Sequence, residues 1–223
     1  LPTFLQIASI GNEDGTGFLA VDKKSWNLYK NVLSASNIEE LGMDIRDHIT
    51  SKYPVMGHVR YASKGIAVTE ENTHPFAGAR FILSHNGRLY GKNEKVVYNA
   101  NDTSNLASDS LVFLNRLEEV AKDAPKKIFL ELINKAMDDF KGKFAFLIYD
   151  SLTDIHYIAR GDTADLHIAS VGEIPIDGGE IKPIGFSIVT KKTTMQDALS
   201  ISSQIAQAVT GRRIVYGKTE EIK

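Results

Sequence analysis

Hydrophobic and polar positions along this chain follow two periods. Alternating or short continuous apolar runs at Gly17 to Val21, Leu28 to Val32, Val55 to Tyr61 and Arg80 to Ser84 predict strands. A second group of predicted strands lies at Lys143 to Tyr149, Ile155 to Arg160, Leu166 to Ser170, Ile184 to Val189 and Arg213 to Tyr216. Helical spacing marks Asn37 to Ser51, through Ile38, Leu41, Ile45 and Ile49, and Asp109 to Ala121, through Val112, Leu114, Leu117 and Val120. It returns in Ile128, Phe129, Leu132, Ile133, Ala136, Met137 and Phe140, with Pro125 placed as a first helical residue. Leu1 to Ile10 reads as the end of a helix stopped by Gly11-Asn12, and Thr194 to Val209 as a further helix. Residues 91 to 107 are polar and asparagine-rich, which predicts a loop. Strands come in adjacent runs and helices in pairs. This predicts antiparallel sheets covered by helix layers, not a wound parallel sheet, in one domain spanning 1–223.

Composition narrows the field. At 223 residues the chain can bury one sizeable core, and its 26 basic against 28 acidic residues give no electrostatic reason to expect nucleic acid or an anionic membrane. No apolar run approaches the roughly 18 residues needed to span a bilayer. There are no cysteines, so the chain itself offers no disulfide and no cysteine-ligated metal, which fits a cytoplasmic protein. The sequence begins Leu1-Pro2-Thr3 without a methionine, and leucine is not a residue before which methionine is removed, so further residues are expected upstream.

The polar residues at the strand ends carry the candidate chemistry. Arg60 follows an apolar strand, where a guanidinium can hold a carboxylate through two parallel hydrogen bonds or form an ordinary salt bridge. Asn86-Gly87 follows another and is a strong two-residue hairpin signal. The same pair offers a side-chain amide and a backbone N–H, two donors able to stabilise an oxyanion. Asp109 opens a helix, as a cap or as a partner for a ligand's ammonium group. His58, His74 and His85 match no zinc spacing and read as packed, hydrogen-bonded histidines.

Taken in order, these residues form a more specific pattern: Gly57-His58-Val59-Arg60-Tyr61-Ala62-Ser63, His74-Pro75, His85-Asn86-Gly87 and Ser108-Asp109-Ser110. The pattern resembles the glutaminase domain of class-II glutamine amidotransferases, members of the N-terminal-nucleophile hydrolases. Glu71-Asn72-Thr73-His74-Pro75-Phe76 is similar to the small stand-alone members, as is Asp14-Gly15-Thr16-Gly17 before a strand. Weaker echoes occur at Gly142 to Phe146 and at Ala159 to Asp162.

The resemblance implies a four-layer αββα sandwich, with two antiparallel sheets between helix layers. It implies hydrolysis of glutamine, or of a γ-glutamyl amide, with release of ammonia. In that reading Arg60 binds the substrate carboxylate and Asp109 its ammonium group. Asn86 and Gly87 form the oxyanion hole, and Tyr61 and Ser63 line the pocket. No cofactor or metal is expected. The partners implied are the small-molecule substrate and a separate ammonia-acceptor protein, and a homo-oligomer is left open. The family's nucleophile is an N-terminal cysteine, which is not among these residues and is expected upstream. The family's pocket threonine is Ser63 here, its following histidine is Lys64, and the glutamate after the Ser-Asp pair is Leu111. The alternative is an inactive relative that serves in assembly or in ligand binding.

Overall fold

The computed structural model describes residues 2–22, 25–37, 55–62, 66–92, 108–123, 129–161, 164–175, 180, 182–189, 196–198, 200–201, 203–204, 208, 212–216 and 220–221. The helix predicted over Asn37 to Ser51 and most of the loop predicted over 91–107 lie outside them, as does the Pro125 turn.

A short helix α1 (Pro2–Ala8) leads into the hairpin β1 (Thr16–Asp22) and β2 (Ser25–Asn31). Strand β3 (Val55–Val59) pairs antiparallel with the other edge of β1, giving the sheet order β2-β1-β3. A second antiparallel sheet runs β4 (Phe76–Ala77), β5 (Phe81–Gly91), β6 (Phe140–Asp150) and β7 (Ile155–Arg160). Helices α2 (Asp109–Asp123) and α3 (Phe129–Met137) connect β5 to β6. A third sheet gathers β9 (Lys182–Val189), β10 (Arg212–Tyr216) and β11 (Glu220–Glu221) around β8 (His167–Pro175). Helical residues are also present between 196 and 208, within the predicted last helix.

Alternation along the strands assigns the layers. On β1, Phe18 packs with Leu5 of α1, whereas Leu19 and Val21 pack with Met56 of β3 and with Ile82 and Tyr149 of the second sheet. On β5, Ile82 faces that inter-sheet core, whereas Phe81, Leu83 and Leu89 face Phe113, Leu114 and Leu117 of α2 and Leu132 and Ile133 of α3. The layers are therefore α1, first sheet, second sheet, α2 with α3: an αββα sandwich with antiparallel sheets. The third sheet joins it through Ala164, Leu166 and Ile188 packed with Ala145.

Local signals explain the helix starts. Ser108 Oγ accepts the Leu111 N–H at 3.2 Å, so Ser108 caps α2. Phe113, Leu114, Leu117 and Val120 then fall on one buried stripe. Burying each such large side chain contributes about 1.5–3 kcal/mol relative to exposure. Two expectations change. Phe140 opens β6 rather than closing α3. The strand that was predicted to stop at Ser84 runs on to Gly91, so Asn86-Gly87 is no hairpin turn. Strand β6 pairs with β5 along its whole length, and Leu89, beyond the expected turn, is fully buried; both favour continuation.

Candidate functional site

The same alternation collects the polar motifs. Two residues beyond Met56, on the inter-sheet face, comes His58, and two further comes Arg60. Two residues beyond Ile82 comes Ser84, then Asn86. The apolar inter-sheet core thus gives way to a polar end built from both sheets.

Arg60 continues the β3–β1 ladder: its N–H donates to Gly15 O at 2.8 Å, and its carbonyl accepts the Asp14 N–H at 3.0 Å. Asp14 Oδ2 also accepts the Ala62 N–H at 2.7 Å, fixing the chain on the far side of the arginine. Arg60 is only 5% exposed, and its Nη2 donates to Ala67 O at 3.1 Å. Its Nη1 is buried without a hydrogen-bond partner, and among the described residues Arg60 makes no ion pair. Burial lowers its pKa, and the nearby Asp14 charge opposes that shift. A buried guanidinium with a spare donor suits an incoming carboxylate.

Gly87 sits in β5 with φ 139°, and a Cβ there would lie 2.0 Å from Lys143 O, so only glycine fits. In an antiparallel ladder alternate N–H groups point away from a given neighbour. On β5 the outward set is identified by its partners: Phe81 N–H donates to Glu118 Oε1 at 2.7 Å, and Leu89 N–H to Asp109 Oδ2 at 2.7 Å. Gly87 has the same parity, so its N–H also points off the edge away from β6. Asn86 is exposed and helps line a small open cavity of about 60 Å³, with Lys143, Ala145, Ala164 and Asp165. Asp109 sits at the first turn of α2, but its carboxylate is already engaged by Leu89 N–H and by Ser110 N–H at 3.0 Å. This cross-link from helix to strand is a function that the sequence did not suggest.

The three histidines cluster. The His58 and His74 ring centroids are 4.3 Å apart, and those of His74 and His85 are 6.5 Å apart. Ser110 Oγ lies 2.8 Å from His74 Nε2 and 2.9 Å from His85 Nδ1. Burial disfavours the charged form of all three. It pushes His58 down to about 3, and His74 well below its ordinary value, with mutual repulsion adding to both; the Asp109 charge and the Lys143 carbonyl oppose the drop at His85. Among the described residues no His, Cys, Asp or Glu side chains group as metal ligands.

Two residues that the sequence did not single out join the site. Lys30, half-buried at the end of β2, holds its ammonium 5.1 Å from the centroid of the Phe76 ring. Burial lowers its pKa, against the pull of Glu71 and Glu70 and with the push of Arg60. Ser110 belonged to a recognised motif but had no role assigned. Tyr61, expected in the pocket, is 74% exposed, and Ser63 lies outside the described residues.

Solved structures share this fold. The glutamine phosphoribosylpyrophosphate amidotransferase from B. subtilis, complexed with ADP and GMP, superposes at TM-score 0.55 with 18% identity, covering 100% of this chain and 42% of its own. A structure described as the allosteric regulatory enzyme of purine biosynthesis gives 0.58 with 17% identity, again with 100% and 42% coverage. The chain shares the fold of these two structures. The chain spans less than half the length of either neighbour. No protein-family model matches the sequence, and no curated protein matches it either. No helix among the described residues is long and apolar enough to cross a membrane.

Proposed function

We propose that this domain binds glutamine, or a γ-glutamyl amide, and hydrolyses the side-chain amide to release ammonia. The observation that carries the reading is Arg60, a buried arginine with an unpartnered Nη1 at the polar end of both sheets. The shared fold supports it, as does the outward-pointing Gly87 N–H beside Asn86.

In this reading Arg60 takes the substrate carboxylate as a charge-assisted pair. Asp109 takes the ammonium group through the carboxylate face left over from its bonds to Leu89 and Ser110. A cysteine thiol attacks the amide carbon, its proton passing through a base to the departing nitrogen; the carbonyl oxygen gains charge, and Asn86 and the Gly87 N–H stabilise it. Collapse expels ammonia and leaves a γ-glutamyl thioester. Water then cleaves the thioester, giving glutamate and regenerating the thiol. The ammonia would pass to a separate acceptor protein. The 223 residues contain no cysteine, so the nucleophile would come from outside them.

The absence of cysteine is also the observation that favours a second reading, a non-catalytic domain that binds the same ligand through Arg60. Both are tested with protein expressed from the full reading frame. Ammonia release from glutamine, with a raised KM in Arg60→Ala, supports the enzyme. Glutamine binding without ammonia release supports the binder. Neither binding nor release would discard both.

A further inference from the structure

Ser110 occupies an unusual position. It is fully enclosed between two buried imidazoles, and it meets both at hydrogen-bond distance, 2.8 Å to His74 Nε2 and 2.9 Å to His85 Nδ1. It therefore ties together three pieces of the site: the segment before β4, strand β5 next to Asn86-Gly87, and the first turn of α2 next to Asp109. A hydroxyl has one proton to donate. With both rings neutral, Ser110 either donates to one ring while the other donates to it, or accepts from both and turns its proton toward Asp109 Oδ1, 3.5 Å away.

Two observations fix the direction. The first concerns the far side of His85. A Cβ placed on Gly87 would lie 2.0 Å from Lys143 O and 3.0 Å from His85 Nε2, so that ring nitrogen and that carbonyl converge at Gly87. The alignment falls short of a regular hydrogen bond, but a proton on Nε2 is favoured facing a carbonyl, and a bare lone pair is not. The second concerns His74 Nδ1, which is buried without a partner. A buried bare acceptor is tolerated more often than a buried orphan N–H. Asp109 pulls the other way, since its Oδ2 lies 3.9 Å from His85 Nδ1. That separation is beyond hydrogen-bond length.

We propose that Ser110 is a positioning residue: it accepts from His74 Nε2–H and donates to His85 Nδ1, so that both imidazoles carry their proton on Nε2 and His85 holds the Lys143 carbonyl and Gly87 in place. The ring arrangement stands on the geometry alone. Its consequence for rate, through the Gly87 donor, rests on the amide-hydrolysis reading.

The test uses isotope-labelled full-length protein and two variants. Long-range proton–nitrogen correlation spectra read the tautomer of each histidine without any need for activity. Wild type is expected to show Nε2–H at both His74 and His85, and Ser110→Ala to lose that arrangement at His85. In the ammonia assay Ser110→Ala is expected to lower kcat about ten- to a hundredfold by displacing the Gly87 donor. KM for glutamine should stay within about threefold, and Ser110→Thr should restore kcat. An Nδ1–H tautomer at either ring in wild type overturns the proposal. So does a Ser110→Ala that raises KM alone, which would make Ser110 a support of Asp109. If wild type shows the expected tautomers and releases no ammonia, the hydrogen-bond chain stands and the catalytic reading fails.

Discussion

Strand β5 has two differently built ends. At the Phe81 end the buried charged groups are paired. Arg80 reaches Asp150, which is fully buried, through Nε at 2.9 Å and Nη2 at 2.7 Å. Glu118 Oε1 accepts the Arg80 and Phe81 N–H groups, and Asp150 also accepts the Leu152 N–H. Burial alone would raise the Asp150 carboxyl, but the Arg80 fork and the Leu152 N–H hold it below its ordinary value. At the Gly87 end the buried atoms without partners include Arg60 Nη1, His74 Nδ1, Ser84 Oγ and His85 Nε2. Buried polar groups are nearly always satisfied in folded proteins. Toward the Phe81 end one such atom remains, His156 Nε2 on β7 opposite Tyr149, whereas the group of exceptions at the Gly87 end marks a place shaped for something other than stability.

That contrast can be broken by mutation. Asp150→Ala leaves the Arg80 guanidinium without its fork and is expected to cost about 3–5 kcal/mol of stability. Denaturant midpoints measure this, and a change under 1 kcal/mol would mean that the paired end does not hold the sheet. Asn86→Ala, at the other end, is expected to leave the midpoint nearly unchanged and to lower ammonia release roughly 10²–10³-fold. A variant with full activity would remove Asn86 from the chemistry.

Acid should attack the histidine end first. His58, His74 and His85 have depressed folded pKa values, so between their ordinary value and the folded value the unfolded chain binds more protons. Stability is therefore fully present above the ordinary histidine range and falls as pH drops below about 6.5, by up to about 2 kcal/mol at pH 5 for each ring that remains neutral there. A melting temperature that stays flat from pH 7 to 5 would contradict the burial of these rings. Asp150 adds its own loss only at lower pH, as its depressed carboxyl protonates. The smallest expected effect is the most diagnostic. Arg60→Met removes an unsatisfied buried donor and should change stability by no more than about 1 kcal/mol, with a gain as acceptable as a loss, while weakening glutamine binding. A loss as large as that of Asp150→Ala would make Arg60 a structural residue after all.

Much of this was legible in the residues. Antiparallel sheets under helix layers followed from the adjacent strand runs and paired helices, and α2 from the stripe that Leu114 and Leu117 share, whereas the four-layer order came from the resemblance and is seen in the packing around Phe18-Leu19 and Phe81-Ile82. The order of motifs around Arg60, Asn86 and Asp109 pointed to the polar end. Two things were hidden. Asn86-Gly87 carries a local turn preference that the long partner strand β6 overrides, so the local signal named the wrong backbone. The Ser110 bridge joins residues 36 and 25 positions apart in the chain. No local pattern encodes such a contact, because it exists only once β5 and α2 have packed.

Helix α2 is tied to strand β5 by side-chain carboxylates as well as by apolar packing. Asp109 caps the Leu89 amide and Glu118 caps those of Arg80 and Phe81, so the helix grips the strand near both of its ends. These amide hydrogens are shielded by side chains and not by a neighbouring strand. They can exchange with solvent only when the helix lifts from the sheet or those carboxylates swing aside. Their exchange rates would therefore time that opening.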